Sequence, residues 1–344
     1  MVLASRHLIT GLLVLGIFLL ATVLASLHIG GGSHGIASSW HYLIGKPEAR
    51  SDESLHITMI TLRYPRAAAG VLVGAALGIA GAILQAMTRN PLADTGLFGI
   101  NSGAALGVII GISCGAESGL SYLIFACAGA AITCICIMLI ARLGSKQNNM
   151  SPLQLILAGA ALSSTFHGVI GFLLLKSQNS YDQYRYWILG SLAGISFTMI
   201  RPVIIPVGIG IALGYVLSRP LGALQLGDDH AQTLGYRPGL IRTLAVISIT
   251  LLAGAAVALA GPVAFLGLLA PHLARGITGP KMGWQIIYAG LIGAAITITA
   301  DTVARLLARP FETPVSMVIA LVGAPMLIIL VRAKSFKRLE ASAC

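Results

Sequence analysis

The sequence predicts an all-α integral membrane protein with about ten transmembrane helices. Hydrophobic residues make up 56% of the 344 residues and charged residues only 10%, whereas a soluble domain carries roughly 25% charged residues. So much apolar surface requires lipid as its solvent, and each crossing of a hydrocarbon core about 30 Å thick takes about 20 apolar residues. The 41 glycines agree with this prediction, because small residues let membrane helices approach closely.

The first apolar run follows Arg6 and His7 and is too long for the core of a signal peptide. We therefore interpret it as a retained span. The seventh and eighth spans are separated at Gly261-Pro262. Segment 186–197 is apolar but too short to cross, which predicts a re-entrant or interfacial helix. The predicted spans are 8–27, 65–87, 92–113, 119–142, 152–175, 199–218, 242–261, 262–278, 284–305 and 313–332.

The net charge of +11 is scattered through short loops between apolar runs. This pattern fits the positive-inside rule better than a nucleic-acid-binding surface. Ten spans place both termini on one side, and the balance of Lys and Arg places that side in the cytoplasm. The prediction is a multi-pass protein of the cytoplasmic (inner) membrane, with residues 1–344 forming a single transmembrane domain.

Two segments match internally, residues 74–81 and residues 254–261, at five of eight positions. In the predicted topology they lie on helices of opposite direction, which indicates an inverted repeat. The five cysteines have no zinc-finger or redox spacing and are interpreted as packing residues.

The sequence lacks the motifs of catalytic and ion-coupled proteins. The only Gly-Lys pair, at Gly45-Lys46, has no other element of a phosphate-binding loop, so the chain is not expected to hydrolyse ATP itself. Only His167 and Asp301 are serious candidates for ionisable groups within the membrane. His167 is interpreted as a packed, hydrogen-bonded side chain, and Asp301 as the intrahelical partner of Arg305 four residues on.

Three stretches carry specific patterns. The first runs from Arg63-Tyr64-Pro65-Arg66 through glycines at 70, 74 and 78 to the turn at 88–96, which reads Thr-Arg-Asn-Pro-Leu-Ala-Asp-Thr-Gly. In the second, Asp228 or Asp229 can cap a short helix that Gly235 ends, and a second short helix would begin near Pro238. The third comprises residues 261–272, 300–305 and 323–325.

Together these stretches resemble the ordered signatures of the FecCD family, the iron-siderophore and cobalamin permeases of binding-protein-dependent ABC importers. The matching signatures are Arg-x-Pro-Arg, Asn-Pro-Leu-Ala-x-x-Gly, Gly-x-x-x-Phe-x-Gly-Leu-x-x-Pro-His, Ala-Asp-x-x-x-Arg and Gly-Ala-Pro. The resemblance extends from about Arg63 to the C-terminus and implies the type II ABC importer permease fold.

The resemblance also implies partners. Two permease subunits, identical or related, would surround a central pathway above two ATPase subunits, and a periplasmic or lipid-anchored binding protein would deliver the substrate. The permease would not be an enzyme and would hold no cofactor or metal, since ATP and Mg would bind the ATPase. Nucleic acid is not an expected partner.

Candidate site residues follow from the matched motifs. Arg63, Arg66 and Arg305 match positions that dock glutamates of the binding protein, although arginines here could merely anchor a span at the lipid headgroups. The segment at about 219–241 matches the coupling loop that inserts into the ATPase. The coupling candidates are Asp228, Asp229, His230, Ala231, Leu234 and Gly235.

The prediction of the substrate class depends on residues 187–192. They resemble the Trp-x-x-Gly-Ser-Leu segment of ferric-siderophore permeases, above all the ferric-catecholate (enterobactin-like) ones, which implies an iron–siderophore substrate. The alternatives are a cobalamin or haem permease of the same family, or an ion-coupled secondary transporter of a different class. The aromatic residues here could instead form an interfacial girdle. The pathway candidates are Trp187, Gly190, Ser191 and Leu192.

Overall fold

The computed structural model describes residues 2–29, 36–144, 151–307 and 313–342. These residues form α-helices joined by short connections, with no strand among them. A π-helical turn, Thr58–Arg63, leads into α5, and a 3-10 turn, Thr95–Phe98, precedes α6. The helices are α1 (Val2–His28), α2 (Ile36–Ile44), α3 (Pro47–Arg50), α4 (Glu53–Ile57), α5 (Tyr64–Thr88), α6 (Ile100–Ser113), α7 (Gly119–Leu143), α8 (Pro152–Leu174), α9 (Gln178–Ile188), α10 (Phe197–Val216), α11 (Ser218–Gln225), α12 (Asp228–Thr233), α13 (Pro238–Ala260), α14 (Leu266–Thr278), α15 (Met282–Leu307) and α16 (Val315–Ser342).

Each predicted span overlaps a helix. Within the described part of the chain, 7 helices are long and apolar enough to cross a membrane, and Ile100–Ser113 and Val315–Ile328 are shorter apolar helices. The remaining predicted span is α14, with 13 residues. The predicted break at Gly261-Pro262 is confirmed, because α13 ends at Ala260 and the next helix begins at Leu266. Gly261 adopts a φ of 74° there, which favours glycine.

Two predicted boundaries are wrong. The third span begins at Ile100 rather than residue 92, because the chain first makes a turn and then the 3-10 turn Thr95–Phe98, which Gly99 caps with a φ of 72°. The short helix predicted at 186–197 ends where it was expected to begin. It spans Gln178–Ile188, and Gly190 at a φ of 68° then takes the chain out of the helix.

Helix α5 lies at the centre of the molecule and packs against α13, α14 and α15. Its glycines at 74 and 78 face α15, where a Cβ atom on either would collide with the backbone, at Gly293 and Ala289 respectively. The two helices therefore run antiparallel in direct backbone contact, as the four-residue glycine spacing predicts. We call this contact the glycine seam.

The matched segments of the internal comparison lie on α5 and α13, which pack against each other. Gly214, near the end of α10, faces Ile83 near the end of α5 and Ser248 in α13, while Gly210 faces Leu252. Helix α10 thus runs antiparallel to α13. Arg89 at the end of α5 and Arg242 near the start of α13 both bond Asp228, so the packed helices α5 and α13 have opposite directions. The repeat itself stays a prediction.

Candidate functional site

Four buried charged side chains form a cluster at one end of the helices, which we call the outer arginine cluster: Arg63, Arg66, Asp301 and Arg305. Arg66 Nε lies 3.0 Å from both carboxylate oxygens of Asp301, and its Nη2 lies 2.9 Å from Oδ1. Arg305 Nη2 lies 3.0 Å from Asp301 Oδ2. One carboxylate therefore accepts from two guanidinium groups and joins the start of α5 to the end of α15.

The remaining arginine bonds stabilise the C-terminal end of α1. Arg63 Nη1 donates to the carbonyl oxygen of Leu27 at 2.8 Å and to Ser39 Oγ at 2.6 Å. Arg305 Nη1 donates to the carbonyl oxygen of Ser26 at 3.0 Å. The last carbonyls of a helix have no partner within it, and they carry the negative end of its dipole. The two cations therefore provide hydrogen-bond donors for the last carbonyl oxygens of α1. These bonds connect α1 to α15 and to the start of α5.

This arrangement bears on the predicted docking role. Arg63, Arg66 and Arg305 are brought together as the motifs imply, but their guanidinium groups bond within the chain rather than standing exposed. Three arginines against one aspartate leave the cluster with a formal charge of +2 (three minus one). The predicted pair of Asp301 and Arg305 is confirmed. Arg66 as a second partner was not foreseen, because no local pattern links residues so distant in sequence. The docking role stays a prediction.

The opposite helix ends carry the predicted coupling segment. The predicted short helix is confirmed as α12, but its cap is Gly227, with a φ of 127°, rather than an aspartate. Asp228 and Asp229 instead occupy the first turn, where negative charge is favoured by the helix dipole. The prediction of a second short helix near Pro238 is wrong, because Pro238 starts the long helix α13 directly. A different short helix, α11, precedes α12.

Asp228 holds this segment to the membrane core. Both of its carboxylate oxygens accept from Nη2 of buried Arg242, at 2.7 Å, and Oδ1 also accepts from Arg89. Arg89 ends α5 in the left-handed conformation, with a φ of 52°. Ala231 is fully buried. Helix α12 is therefore clamped to α5 and α13 through a single carboxylate, which we call the Asp228 clamp.

The other face of the coupling segment is exposed. The side chains of Leu226 and Leu234 are 69% and 62% exposed. Around them Asp229, His230 and Gly235 are also exposed, whereas Asp228 and Ala231 face the protein. Apolar side chains presented beyond the span ends are typical of a protein contact surface.

The predicted pathway segment is largely packed inside the chain. Gly190 and Leu192 are buried, while Trp187 and Ser191 are half-buried. The carbonyl oxygen of Gly190 accepts from the Ser316 N–H at 3.3 Å, so the segment is held against the start of α16. Whether these residues line a pathway stays a prediction.

Helix α8 leaves one face uncovered in the single chain. Ser164, Thr165 and His167 are exposed on it, so the interpretation of His167 as a packed side chain is wrong for this chain by itself. The hydroxyls of Ser164 and Thr165 donate to the carbonyl oxygens of Ala160 and Ala161, at 3.1 and 3.0 Å. Polar groups on an exposed face within a span are expensive in lipid and indicate a protein or water neighbour.

Long apolar helices around a buried α5, with a charged cluster at one end and a partly exposed short-helix segment at the other, define a multi-pass membrane protein. Comparison with known proteins gives the family. The chain belongs to the FecCD transport family, whose model matches residues 18–333.

Two relatives and one solved structure are informative. The chain is 40% identical to the ferric enterobactin transport system permease FepD of Escherichia coli (strain K12), over 80% of this chain and 82% of FepD. It is 36% identical to the Fe(3+)-citrate import system permease YfmD of Bacillus subtilis (strain 168), over 96% of both chains. A metal-chelate type ABC transporter solved in an inward-facing conformation matches with a TM-score of 0.80 and 26% identity, over 96% of this chain and 99% of that one.

Proposed function

We propose that this chain is the membrane-spanning permease subunit of a binding-protein-dependent ABC importer that carries iron–siderophore complexes across the cytoplasmic membrane. The observation that carries the proposal is the similarity, over most of the chain, to permeases for ferric enterobactin and Fe(3+)-citrate. The iron travels inside its chelator, so the permease needs no iron ligands of its own.

The coupling segment is the contact for a separate ATPase subunit, which binds ATP and Mg. Its exposed leucines enter the ATPase, and the Asp228 clamp passes the displacement of α12 to α5 and α13. Because α5 is in backbone contact with α15 along the glycine seam, the movement reaches the outer arginine cluster at the far end of the same two helices.

A second permease subunit, a copy of this chain or a related one, covers the exposed face of α8 and completes the pathway beside residues 187–192. Both termini are cytoplasmic. A periplasmic or lipid-anchored binding protein docks on the outer side. The surplus positive charge of the outer arginine cluster attracts its glutamates, and directional arginine–carboxylate bonds then fix its orientation.

The direct test is transport by a strain that lacks this gene. We expect loss of uptake of radiolabelled iron presented as a ferric-catecholate siderophore, with labelled cobalamin uptake unchanged. Restoring the gene restores iron uptake. Loss of cobalamin uptake with iron uptake intact would instead identify a cobalamin permease of the same fold. If neither uptake changes in a strain without a second such permease, the substrate proposal fails.

Replacing Leu234 by aspartate should abolish iron uptake without unfolding the permease. Because the side chain is exposed, the substitution should change the stability of the folded permease little. It does place a charge in an apolar contact with the ATPase. Leu143→Asp is the matched control, since that leucine is 88% exposed and lies outside the coupling segment. Copurification of the ATPase subunit with each variant measures the contact. Equal ATPase recovery with Leu234→Asp and wild type would contradict the docking assignment.

A further inference from the structure

A cavity of about 430 Å³, lined mainly by residues with polar side chains, lies between the ends of α5 and α14, the start of α15 and the short helix α11. It is lined by two guanidinium groups and three amide side chains, those of Arg89, Arg275, Gln85, Gln225 and Gln285. Its volume falls within the roughly 300–1,000 Å³ of small-molecule sites. Arg89 also belongs to the Asp228 clamp and Gln225 to the segment at 219–241, but neither the coupling segment nor the outer arginine cluster accounts for Arg275 and the two amides beside it.

Arg275 is the unusual member of this cavity. It is half-buried, and its Nη2 donates to Gln85 Oε1 at 3.2 Å, a neutral acceptor. Within the described part of the chain no carboxylate lies within ion-pair distance of it, whereas Arg66 and Arg242 each have an aspartate. A partly desolvated cation without a counter-ion is costly, so this guanidinium favours an anion from outside the chain.

The amides determine which groups remain for a ligand. Gln85 Nε2 donates to the carbonyl oxygen of Leu268 at 3.3 Å, and Gln285 Nε2 donates to that of Gly279 at 2.5 Å. The chain thus uses these two amide donors itself. Arg89 donates to Asp228 through Nη2 and Arg275 donates to Gln85 through Nη2, and the other N–H groups of both guanidinium groups stay as donors for an oxyanion. The carbonyl oxygens of Gln225 and Gln285 stay as acceptors for hydroxyl groups.

The position of the cavity indicates the source of such an anion. Helix α5 ends at Thr88, α14 ends at Thr278 and α15 begins at Met282, so the cavity lies where three apolar helices end. Transmembrane helices end at the level of the headgroups. Lipid phosphates lie at that level, and basic pockets between transmembrane helices on the cytoplasmic side bind anionic headgroups.

We propose that this cavity binds the phosphate of an anionic phospholipid headgroup that carries free hydroxyl groups, such as phosphatidylglycerol. The phosphate oxygens accept from Arg275 and Arg89, as guanidinium groups bind phosphate through paired donors. The headgroup hydroxyls donate to the amide oxygens of Gln225 and Gln285. The bound lipid thereby joins the end of α5 to the connection between α14 and α15, beside the Asp228 clamp.

The test uses the full-length permease purified in detergent and heated with short-chain phosphatidylglycerol, short-chain phosphatidylcholine or inorganic phosphate. Phosphatidylglycerol should raise the thermal midpoint by several degrees, and phosphatidylcholine should not. The concentration needed should increase at least tenfold in Arg275→Gln and stay unchanged in Arg237→Gln, which removes an exposed cation on the same side. Arg275→Lys keeps the charge without the paired donors and should fall between the two.

The other outcomes are equally decisive. If inorganic phosphate protects as well as the lipid does, and protection depends on Arg275, the ligand is free phosphate and the lipid source is wrong. An equal response of Arg275→Gln and wild type to phosphatidylglycerol overturns the site. If no anion protects the wild type but Arg275→Gln loses the copurifying ATPase subunit, the cavity is a protein contact and the phosphate proposal fails. Failure of binding leaves the transport proposal unaffected, because uptake is measured separately.

Discussion

Replacing Asp301 by asparagine is expected to lower the free energy of unfolding by about 3–5 kcal/mol, the range for removing one partner of a buried ion pair. The carboxylate accepts three hydrogen bonds from Arg66 and lies 3.0 Å from Arg305 Nη2. Asparagine keeps the shape but removes the charge and turns an NH₂ group toward guanidinium donors. Two buried cations would then face each other without the anion between them.

Denaturant unfolding of the purified permease in detergent, followed by circular dichroism, measures this effect. Asp182→Asn is the matched control, because Asp182 lies 3.8 Å from Arg185 in an exposed i,i+3 pair. An exposed pair contributes only about 0–1 kcal/mol. A similar loss from both substitutions would show that the outer cluster is not the stabilising unit described here.

Combining Arg66→Gln with Asp301→Asn separates stability from docking. The pair acts as a unit, so the double variant should lose about 0.5–3 kcal/mol less than the sum of the single variants. If the cluster also attracts the binding protein, this partial recovery of stability will not restore capture of the binding protein on membranes. Recovery of both properties would reduce Arg66 to a structural residue and remove it from the docking proposal.

The contrast between α5 and α9 shows what the sequence could predict. Long apolar runs and glycines at four-residue spacing depend on local chemistry, so the central helix and its close-packed face were predictable from residues 65–87. The point at which a short element begins or ends depends on the backbone conformation of a single turn. The start of the third span and the end of α9 are set by the left-handed backbone conformation of Gly99 and Gly190. Glycine adopts positive and negative φ about equally, so the sequence does not predict its φ at a given position.

The functional clusters were predictable in membership but not in geometry. The motifs identified Arg63, Arg66, Asp301, Arg305 and Asp228. The pair of Asp301 and Arg305 was predictable from its four-residue spacing. Two other pairs join residues distant in sequence: Arg66 with Asp301, and Asp228 with Arg89. Tertiary packing decides such pairs. The polar cavity at Arg275 had no sequence signal for the same reason, since its side chains come from four separate helices.

The glycine seam supplies the second large expected effect. We expect Gly78→Ala to lower the free energy of unfolding by at least the roughly 1–3 kcal/mol typical of overpacking. A Cβ atom at this position would collide with the Ala289 backbone carbonyl, and backbone cannot rotate away as a side chain can. Alanine is intrinsically the better helix former by about 1 kcal/mol, so any loss measures the cost of separating α5 from α15.

Gly208→Ala in α10 provides the matched control. The new methyl group at that position meets nothing within 4 Å, so the helix propensity of alanine should leave stability unchanged or slightly improved. Thermal unfolding of both variants in the same detergent gives the comparison. If Gly78→Ala behaves like Gly208→Ala, α5 and α15 are not in backbone contact in the membrane. The route proposed from the Asp228 clamp to the outer arginine cluster would then lose the rigid contact on which it depends.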